Sequence, residues 1–460
     1  MEYGIISIII PLLTIALAII TKDVIVSLMG GIFAGLLVLH GFNPLQAFKG
    51  LFDGIIAQIA QGWIAKTLLF TLFVGAIIRL LNLSGAVESF VAYIDKKAAR
   101  IDSPLGAQML AYLIGVVIFI ESSITSLVAG TVAKPLCDRN DVSRAKLAYI
   151  CDSTSAPICS LIPLNAWGAL LLGLILTAVE SKVITGDPVS LLVASIPYNF
   201  YALFTLLLVL VVIWRKWEIG PMRHAVSVVS TVSPPTVTPH TPALGPMLLP
   251  IIVMVLAVPV GLYLTGDGDI FKGSGSTSVY YATIVTLFVM YGYYLATRRL
   301  THKRFFEGLF GGMGEMIPIA AILLLAIFIG KVIGDLGTAK YLAHILTGNI
   351  SPTLMPMLIF LVAAITAFST GTSWGTFSIM MPIALALAAS MGLDIPLVIA
   401  AVISGGIFGD HASPISDTTI ISSMAAGCDH VEHVRTQLPY ALIGGTLAAA
   451  AFLVAGYLTV

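Results

Sequence analysis

The sequence predicts an all-α polytopic membrane protein of two inverted-topology repeats, each with a re-entrant hairpin and a broken transmembrane helix. Three observations predict this fold class. The composition is far more apolar than that of a soluble domain, the second half repeats the order of motifs of the first half, and the basic residues are distributed differently around the two halves.

The composition places most of the chain in a membrane. Of 460 residues, 58% are hydrophobic and 10% are charged, whereas soluble domains carry about 25% charged residues. Apolar runs such as Val189–Trp214 and Leu438–Val460 exceed the roughly 20 residues that cross the hydrocarbon core as a helix. We expect about ten full spans. Residues 1–21 lack a basic leader and a cleavage site, so we interpret them as an extra N-terminal transmembrane helix.

Several function classes find no support in the sequence. The net charge is zero and no long Lys/Arg run occurs, so nothing indicates a nucleic-acid partner. The cysteines show neither metal-ligand spacing nor a disulfide pattern. Walker, GxGxxG and zinc motifs are absent, so neither ATP-driven transport nor an enzyme is expected.

The chain is similar to itself at offsets of 247 to 258 residues. "AFKGLFDG" at Ala47 recurs as "FFEGLFGG" at Phe305, "ESSITSLVAGTVAKP" at Glu121 matches the layout of "STGTSWGTFSIMMP" at Ser369, and "CDSTSAP" is paired with "GDHASP". We therefore divide the chain into an N-terminal helix (1–21), a first repeat (22–214), a cytoplasmic Pro/Ser/Thr-rich linker (215–246), a connecting transmembrane helix with an external loop (247–278) and a second repeat (279–460).

The distribution of basic residues predicts on which side of the membrane the loops of each half lie. The segments that flank the Glu121 region carry Lys and Arg, and their counterparts "TGNISP" and "SMGLDIP" carry none. By the positive-inside rule the first segments are cytoplasmic and the second external, so the repeats are inverted and both termini lie outside. The hairpin tips are predicted at Glu121–Ser123 and Thr370–Ser373. Inverted repeats with interrupted helices are typical of secondary transporters, which predicts a multi-pass protein of the plasma membrane, in a bacterium the inner membrane.

Two polar stretches, "CDSTSAPIC" and "GDHASPISDTT", are predicted to stop and restart a helix, because proline removes an amide donor and Ser, Asp and Thr compete for backbone hydrogen bonds. Carboxylates are costly in hydrocarbon, so Asp410, Asp152, Glu121 and Asp417 are candidate cation- and proton-binding residues. One carboxylate can hold either H+ or Na+, which is the simplest chemistry of exchange. The alternative is that Asp410, Asp152 and Asp417 cap helices at structural kinks.

Neutral polar residues at the tips and breaks are candidates for an ion or substrate cage. For any single hydroxyl, packing of small residues is the competing interpretation, and His411 is as consistent with a structural histidine as with a titrating one. Asn165, Trp167 and Trp374 either line the cavity or pack. The predicted cage comprises Ser122, Ser123, Ser153, Thr154, Ser155, Thr370, Thr372, Ser373, His411, Ser413, Ser416 and Thr418.

The motifs "FGDHASPISDTTIISS", "STGTSWGTFSIMMPIA" and "IESSITSLVAGTV" resemble the NhaC-type Na+/H+ antiporter family, part of a wider ion-transporter superfamily, over nearly the whole chain. The resemblance implies a scaffold part and a transport part, a homodimer, and elevator-type movement. It also implies that Asp152–Ser155 and Asp410–Thr419 surround the cation, with Na+ held by Asp410, Asp152, Ser153 and Ser413.

The sequence is consistent with two transport functions, which differ in the transported substrate. The first is Na+/H+ exchange at shared carboxylates, with Na+ as the transported ion. The second is a Na+- or H+-coupled carrier of an amino acid or small organic acid, which the surplus of neutral polar residues favours. A channel or receptor is disfavoured, because inverted halves with broken helices permit alternation between two faces.

Overall fold

The computed structural model describes residues 3–21, 23–98, 103–119, 122–163, 165–225, 242–269, 273–338, 341 and 351–459. Glu121 and half of the predicted linker, residues 226–241, lie outside the described residues. The described part of the chain is helical with short turns and contains no strand.

The helices follow one another with short connections. In chain order they are α1 (Ile6–Thr21), α2 (Val24–Leu39), α3 (Pro44–Ile59), α4 (Gly62–Leu83), α5 (Ala86–Ala98), α6 (Pro104–Val117), α7 (Ser122–Arg139), α8 (Arg144–Leu161), α9 (Ala166–Glu180), α10 (Pro188–Ser195), α11 (Phe200–Arg215), α12 (Gly245–Thr265), α13 (Gly275–Ala296), α14 (His302–Glu315), α15 (Ile317–Asp335), α16 (Met355–Thr370), α17 (Ser373–Met391), α18 (Ile395–Ala412), α19 (Asp417–Ala426) and α20 (His430–Thr459).

Ten helical segments among the described residues are long and apolar enough to cross a membrane, which agrees with the expected number. Many helices begin with the residue types that satisfy their first amides. Ser103 caps α6, Ser143 caps α8 and Asp394 caps α18, each through a side-chain oxygen that accepts from a backbone N–H of the first turn. The all-α polytopic fold expected from the composition is confirmed.

The order of helices repeats at a constant spacing. α6, α7, α8 and α9 each begin 251 residues before α16, α17, α18 and α19, respectively. Both sets contain two arms, a third long helix, a short break and a restarted helix. The second tip falls at residues 371–372, within the predicted tip Thr370–Ser373. The first tip lies between α6 and α7, where residues 120 and 121 are outside the described residues.

One predicted break is wrong in position. α8 runs from Arg144 to Leu161 straight through "CDSTSAPIC", and the break lies after it, before α9 begins at Ala166. Pro157 removes only its own amide hydrogen bond, and the nearby hydroxyls donate to carbonyls of the same helix: Thr154 to Ile150 O at 2.7 Å and Ser160 to Pro157 O at 2.7 Å. These hydroxyls support the helix instead of competing with it.

The spacing of 251 residues also corrects the pairing of the two polar stretches. At that spacing the counterpart of Pro414 is Pro163 and the counterpart of Asp410 is Cys159. Asp152 therefore lies in mid-helix, and Asp410 lies near the end of its helix, where α18 stops at Ala412 before α19 restarts at Asp417. The break predicted in "GDHASPISDTT" is confirmed.

Two glycines let α18 pack directly on α16. A Cβ atom on Gly405 would lie 2.4 Å from the Phe360 carbonyl oxygen, and one on Gly409 would lie 2.2 Å from the Ala364 carbonyl oxygen. Glycines four residues apart place both approaches on one helix face. Asp410 follows directly and is held in this close-packed layer.

Candidate functional site

Asp410 faces the N-terminus of α17. Its side chain is 2% exposed, and its Oδ2 accepts hydrogen bonds from the Ser373 hydroxyl at 2.5 Å and from the Ser373 amide at 3.3 Å. A helix N-terminus favours a negative charge because its first amides have no partner inside the helix. Asp410 Oδ1 is buried and receives no hydrogen bond from the described residues.

Asp152 lies in the middle of α8 and is fully buried. Its Oδ2 accepts hydrogen bonds from Gln437 Nε2 at 2.6 Å and from Thr419 Oγ1 at 3.0 Å, and His433 Nε2 lies 4.0 Å away. Its Oδ1, like that of Asp410, is buried without a donor among the described residues. Three helices, α8, α19 and α20, thus meet at this carboxylate.

Gln437 joins the two acidic segments. Its Nε2 also donates to the His411 carbonyl oxygen at 2.8 Å, next to Asp410. The predicted cation residues Asp152 and Asp410 are therefore brought to one part of the molecule through a shared amide.

His411 is satisfied on both ring nitrogens. Nε2 lies 3.0 Å from Ser153 Oγ and Nδ1 lies 2.6 Å from Tyr201 Oη. The histidine is 1% exposed. This geometry agrees with the structural interpretation of His411, and it ties α18 to α8 and α11.

Three serine hydroxyls form a second meeting point. Ser126 of α7 lies 2.8 Å from Ser155 Oγ and 3.0 Å from Ser422 Oγ. All three are buried. Ser155 was expected in the cage, whereas Ser126 and Ser422 were not named there.

Other predicted cage residues bond within or beside their own segments. Thr370 donates to Thr366 O at 2.9 Å, and Ser413 donates to Phe368 O at 2.8 Å. Ser416 Oγ lies 3.0 Å from Thr418 Oγ1.

The remaining expected residues lie at helix starts or against a neighbouring helix. Thr154 packs on α6, where a Cβ atom on Gly115 would lie 2.0 Å from its hydroxyl oxygen. Thr372 is the N-cap residue of α17 without a side-chain cap bond. Ser122 and Ser123 begin α7. Asp417 is exposed in the first turn of α19 and accepts from the Thr418 amide, as expected for a helix-terminal carboxylate.

Asn165 closes the break between α8 and α9. Its Nδ2 donates to the carbonyl oxygens of Cys159 at 2.7 Å, Ile162 at 2.9 Å and Phe119 at 3.0 Å, and its Oδ1 accepts from the Gly168 amide at 3.0 Å. One amide thus satisfies both ends of the break and the first hairpin tip.

The two buried carboxylates can each accept one further partner, such as a proton or a small monovalent cation. Each carboxylate presents one buried oxygen without a donor, and a buried acceptor left without a partner costs roughly 1–3 kcal/mol. Within the described residues, no three His, Cys, Asp or Glu side chains cluster as they would around a transition metal. A proton or Na+ on each bare oxygen would supply the missing partner.

Sequence reasoning missed three buried residues of this network: His433, Gln437 and Tyr201. They lie 281, 285 and 49 residues from Asp152, so no local motif joins them. The one signal was the His433–Gln437 spacing of four residues, which places both on one face of α20.

Solved structures show a similar fold. MtrF of Neisseria gonorrhoeae, described as illuminating a class of antimetabolite efflux pumps, aligns with a TM-score of 0.60 at 13% identity, over 89% of this chain and 84% of that chain. The YdaH transporter of Alcanivorax borkumensis, described as having an unusual topology, aligns with a TM-score of 0.58 at 15% identity, over 88% and 87%. At these identities the likeness establishes the fold.

Sequence comparison establishes the family. An uncharacterised protein of Haemophilus influenzae (strain ATCC 51907 / DSM 11121 / KW20 / Rd) is 36% identical over 473 residues, which cover 98% of this chain and 91% of that protein. The model of the Na+/H+ antiporter family matches residues 158–457, which include Asp410, Gln437 and the second hairpin. The chain belongs to the Na+/H+ antiporter family.

Proposed function

We propose that this secondary transporter exchanges Na+ for H+ across the plasma membrane, with Asp410 and Asp152 as the shared cation- and proton-binding groups. The observation that carries the proposal is the pair of buried carboxylates, each with one oxygen that no described residue satisfies. Membership of the family supports Na+ and H+ as the transported ions.

Burial makes a bare carboxylate unfavourable, because a charge loses its hydration without gaining a partner. Asp410 and Asp152 are therefore most stable when occupied, by H+ in one half of the cycle and by Na+ in the other. Since both cargoes use the same carboxylates, binding of one excludes the other. This mutual exclusion is sufficient to couple the Na+ flux to the H+ flux.

The helix N-termini that would attract a carboxylated solute are already occupied by side chains of the protein. The first turn of α17 already donates to Asp410, and the first turn of α9 donates to Asn165. A substrate carboxylate would have to displace one of these acceptors. Ser153 and Ser413 stay in the proposed Na+ shell as hydroxyl oxygens with remaining lone pairs, and Glu121 stays a proposed proton or cation ligand at the first tip.

A second candidate is a Na+- or H+-coupled carrier of an amino acid or small organic acid. The buried hydroxyl cluster of Ser126, Ser155 and Ser422 favours it, because one Na+ does not need these oxygens in addition to the carboxylates. A solute with donors and acceptors would use them.

The movement we propose is elevator-type alternating access by a homodimer in a bacterial inner membrane. The repeated order of α6–α9 and α16–α19 supports it, since related halves of opposite orientation give two equivalent end states. The two hairpins and two restarted helices would move together as the transport part.

The test uses purified protein in liposomes that contain a pH-sensitive dye. Na+ added outside should enter in exchange for H+ and turn the lumen alkaline, and equal K+ should not. Asp410→Asn should abolish the response, whereas Asp335→Asn, a half-exposed residue paired with Lys331 at the end of α15, should leave it unchanged. Full activity of Asp410→Asn would remove Asp410 from the site, and a response only after an amino acid or organic acid is added would favour the second candidate.

A further inference from the structure

A chain of hydrogen-bonding side chains leads from the surface to Asp152. His430, half-buried at the start of α20, places Nδ1 3.2 Å from the Ser423 hydroxyl oxygen. The same oxygen lies 2.8 Å from His433 Nδ1. His433 Nε2 lies 2.8 Å from Gln437 Oε1 and 4.0 Å from Asp152 Oδ2. Every neighbouring pair before the last step is within hydrogen-bond distance.

The orientation of Gln437 fixes where His433 carries a hydrogen. The Gln437 amide nitrogen faces two acceptors, Asp152 Oδ2 and the His411 carbonyl oxygen, so the amide oxygen must face His433. An amide oxygen is only an acceptor. His433 Nε2 therefore donates, and its hydrogen points toward the side of the ring where Asp152 lies.

The other ring nitrogen can be bare or protonated without loss of a partner. His433 Nδ1 lies 2.8 Å from the Ser423 hydroxyl oxygen and 3.2 Å from the Thr419 carbonyl oxygen. When Nδ1 is bare, the hydroxyl can donate to it. When Nδ1 is protonated, it can donate to either oxygen, while the hydroxyl donates to Thr419 O at 2.7 Å. A hydroxyl rotation switches between these two states.

The titratable groups that surround His433 match a proton-holding role. Asp152 faces it from α8 at 4.0 Å, His411 approaches through Gln437 from α18, and His430 lies one turn earlier on α20. The only charged acid among these is Asp152. A protonated His433 would thus be paired with an ionised Asp152, in a position with no exposure to water.

We propose that His430, Ser423 and His433 form the path by which protons reach and leave Asp152. This inference rests on the proposed function, because it supplies the proton half of the exchange. A protonated His430 gives its Nδ1 proton to the Ser423 oxygen while the Ser423 hydroxyl gives its own proton to the bare Nδ1 of His433. The Nε2 proton of the doubly protonated His433 then passes to Asp152 Oδ2 after a shift of about 1 Å brings the atoms into hydrogen-bond distance, which leaves His433 neutral with its hydrogen on Nδ1. Release runs the same transfers backward, from Asp152 to Nε2 and from Nδ1 through Ser423 to His430. His430, Ser423 and His433 are proton-transfer residues for the exchange at Asp152.

The path predicts that proton movement and sodium movement separate in mutants. In liposomes, His433→Gln should slow Na+-driven proton release at least about tenfold and flatten its dependence on pH near neutrality. Exchange of labelled Na+ for unlabelled Na+ at fixed pH should stay within about twofold of wild type, because no net proton moves. Ser423→Ala, which interrupts the path while keeping both histidines, should show the same separation. His302→Gln, an exposed histidine at the start of α14, is the control and should change neither rate.

A second measurement does not depend on transport. After a pH jump, time-resolved infrared difference spectroscopy in detergent follows the carboxylic C=O band that Asp152→Asn removes. Its rise should be slower in His433→Gln and Ser423→Ala than in wild type. If wild type shows no Na+-driven proton flux, the proposed function fails while the infrared rates still decide the path. Wild-type rise times in both variants, or equal loss of proton and sodium exchange, would overturn the path.

Discussion

At the scale of single residues, the two oxygens of Asp410 have opposite environments. Oδ2 receives the hydroxyl and the amide of Ser373, whereas Oδ1 is buried without a described donor. The bonded oxygen holds the carboxylate in place and stabilises its ionised form, because hydrogen bonds to a charged acceptor are stronger than those to a neutral one. In the proposed exchange, the oxygen without a donor, Oδ1, binds the cation or proton. Oδ2 thus orients the Asp410 side chain, and Oδ1 is the atom proposed to bind the ion.

Ser373→Ala removes the shorter of these hydrogen bonds and leaves the backbone one. A hydrogen bond to a charged group contributes about 1.5–3 kcal/mol, so the ionised, Na+-binding form of Asp410 should lose roughly that much relative to the protonated form. We expect the Na+ concentration for half-maximal exchange to rise at least about tenfold. Ser378→Ala is the matched control, since that buried hydroxyl donates to the Trp374 carbonyl of its own helix. Equal Na+ dependence in both variants would contradict the assignment.

The sequence identified the two buried acids of the candidate site and not their hydrogen-bond partners. Asp152 and Asp410 were identifiable because a carboxylate in an apolar stretch is costly and therefore needs a function. His433 and Gln437 sit in the polar start of a long helix, where such residues are common near a membrane surface. Only the packing of α20 against α8 and α19 makes them buried partners of Asp152, and no pattern along the chain encodes that contact.

At the scale of elements, the position of Asp410 depends on how closely α18 packs on α16. Gly405 lies five residues before Asp410 and touches the Phe360 carbonyl of α16. Any side chain there would push the helices apart and shift Asp410 relative to Ser373. The glycine is thus part of the site although it binds nothing.

Gly405→Ala should destabilise the protein and slow exchange. The added Cβ would lie 2.4 Å from a backbone oxygen that cannot rotate away, and overpacking of this kind costs about 1–3 kcal/mol. We expect a lower melting temperature in detergent, followed by tryptophan fluorescence. Gly334→Ala is the control, because nothing lies within 4 Å of its Cβ position and alanine is the better helix former. An unchanged melting temperature in Gly405→Ala would show that α16 yields without cost.

The breaks after α8 and α18 show why the sequence predicted only one of these two helix ends. In α18 the sequence Asp-His-Ala-Ser-Pro ends the helix where expected, since the proline follows directly on a serine that bonds to the neighbouring hairpin. In α8 the hydroxyls of Thr154 and Ser160 donate to carbonyls of their own helix, and the helix ends only before Pro163 and Asn165. Composition alone does not distinguish these two uses of Ser and Thr, because the direction of each hydroxyl depends on the surrounding helices.

At the scale of the whole molecule, the constant spacing of 251 residues relates two sets of helices without making their sites equivalent. Asp410 corresponds to Cys159, and Asn165 corresponds to Ser416. The carboxylate therefore belongs to the second half, and the amide that closes a break belongs to the first. The first half contributes Asp152, in the middle of α8, which accepts hydrogen bonds from Gln437 and Thr419 of the second half. The two sets of helices thus contribute different residues to the proposed ion site.

The inversion of the two halves has a direct test at a pair of equivalent loops. Asn140 follows α7 and Met391 ends α17, again 251 residues apart, and both are half-buried. The first loop is flanked by Arg139 and Arg144 and the second by no basic residue, so the positive-inside rule places them on opposite sides. In a variant without the four native cysteines, Met391→Cys should react with an impermeant maleimide in intact cells, and Asn140→Cys only after permeabilisation. The cysteine-free parent gives the background. Reaction of both from one side would refute the inversion, whereas the reversed pattern would keep the inversion and refute the assigned orientation.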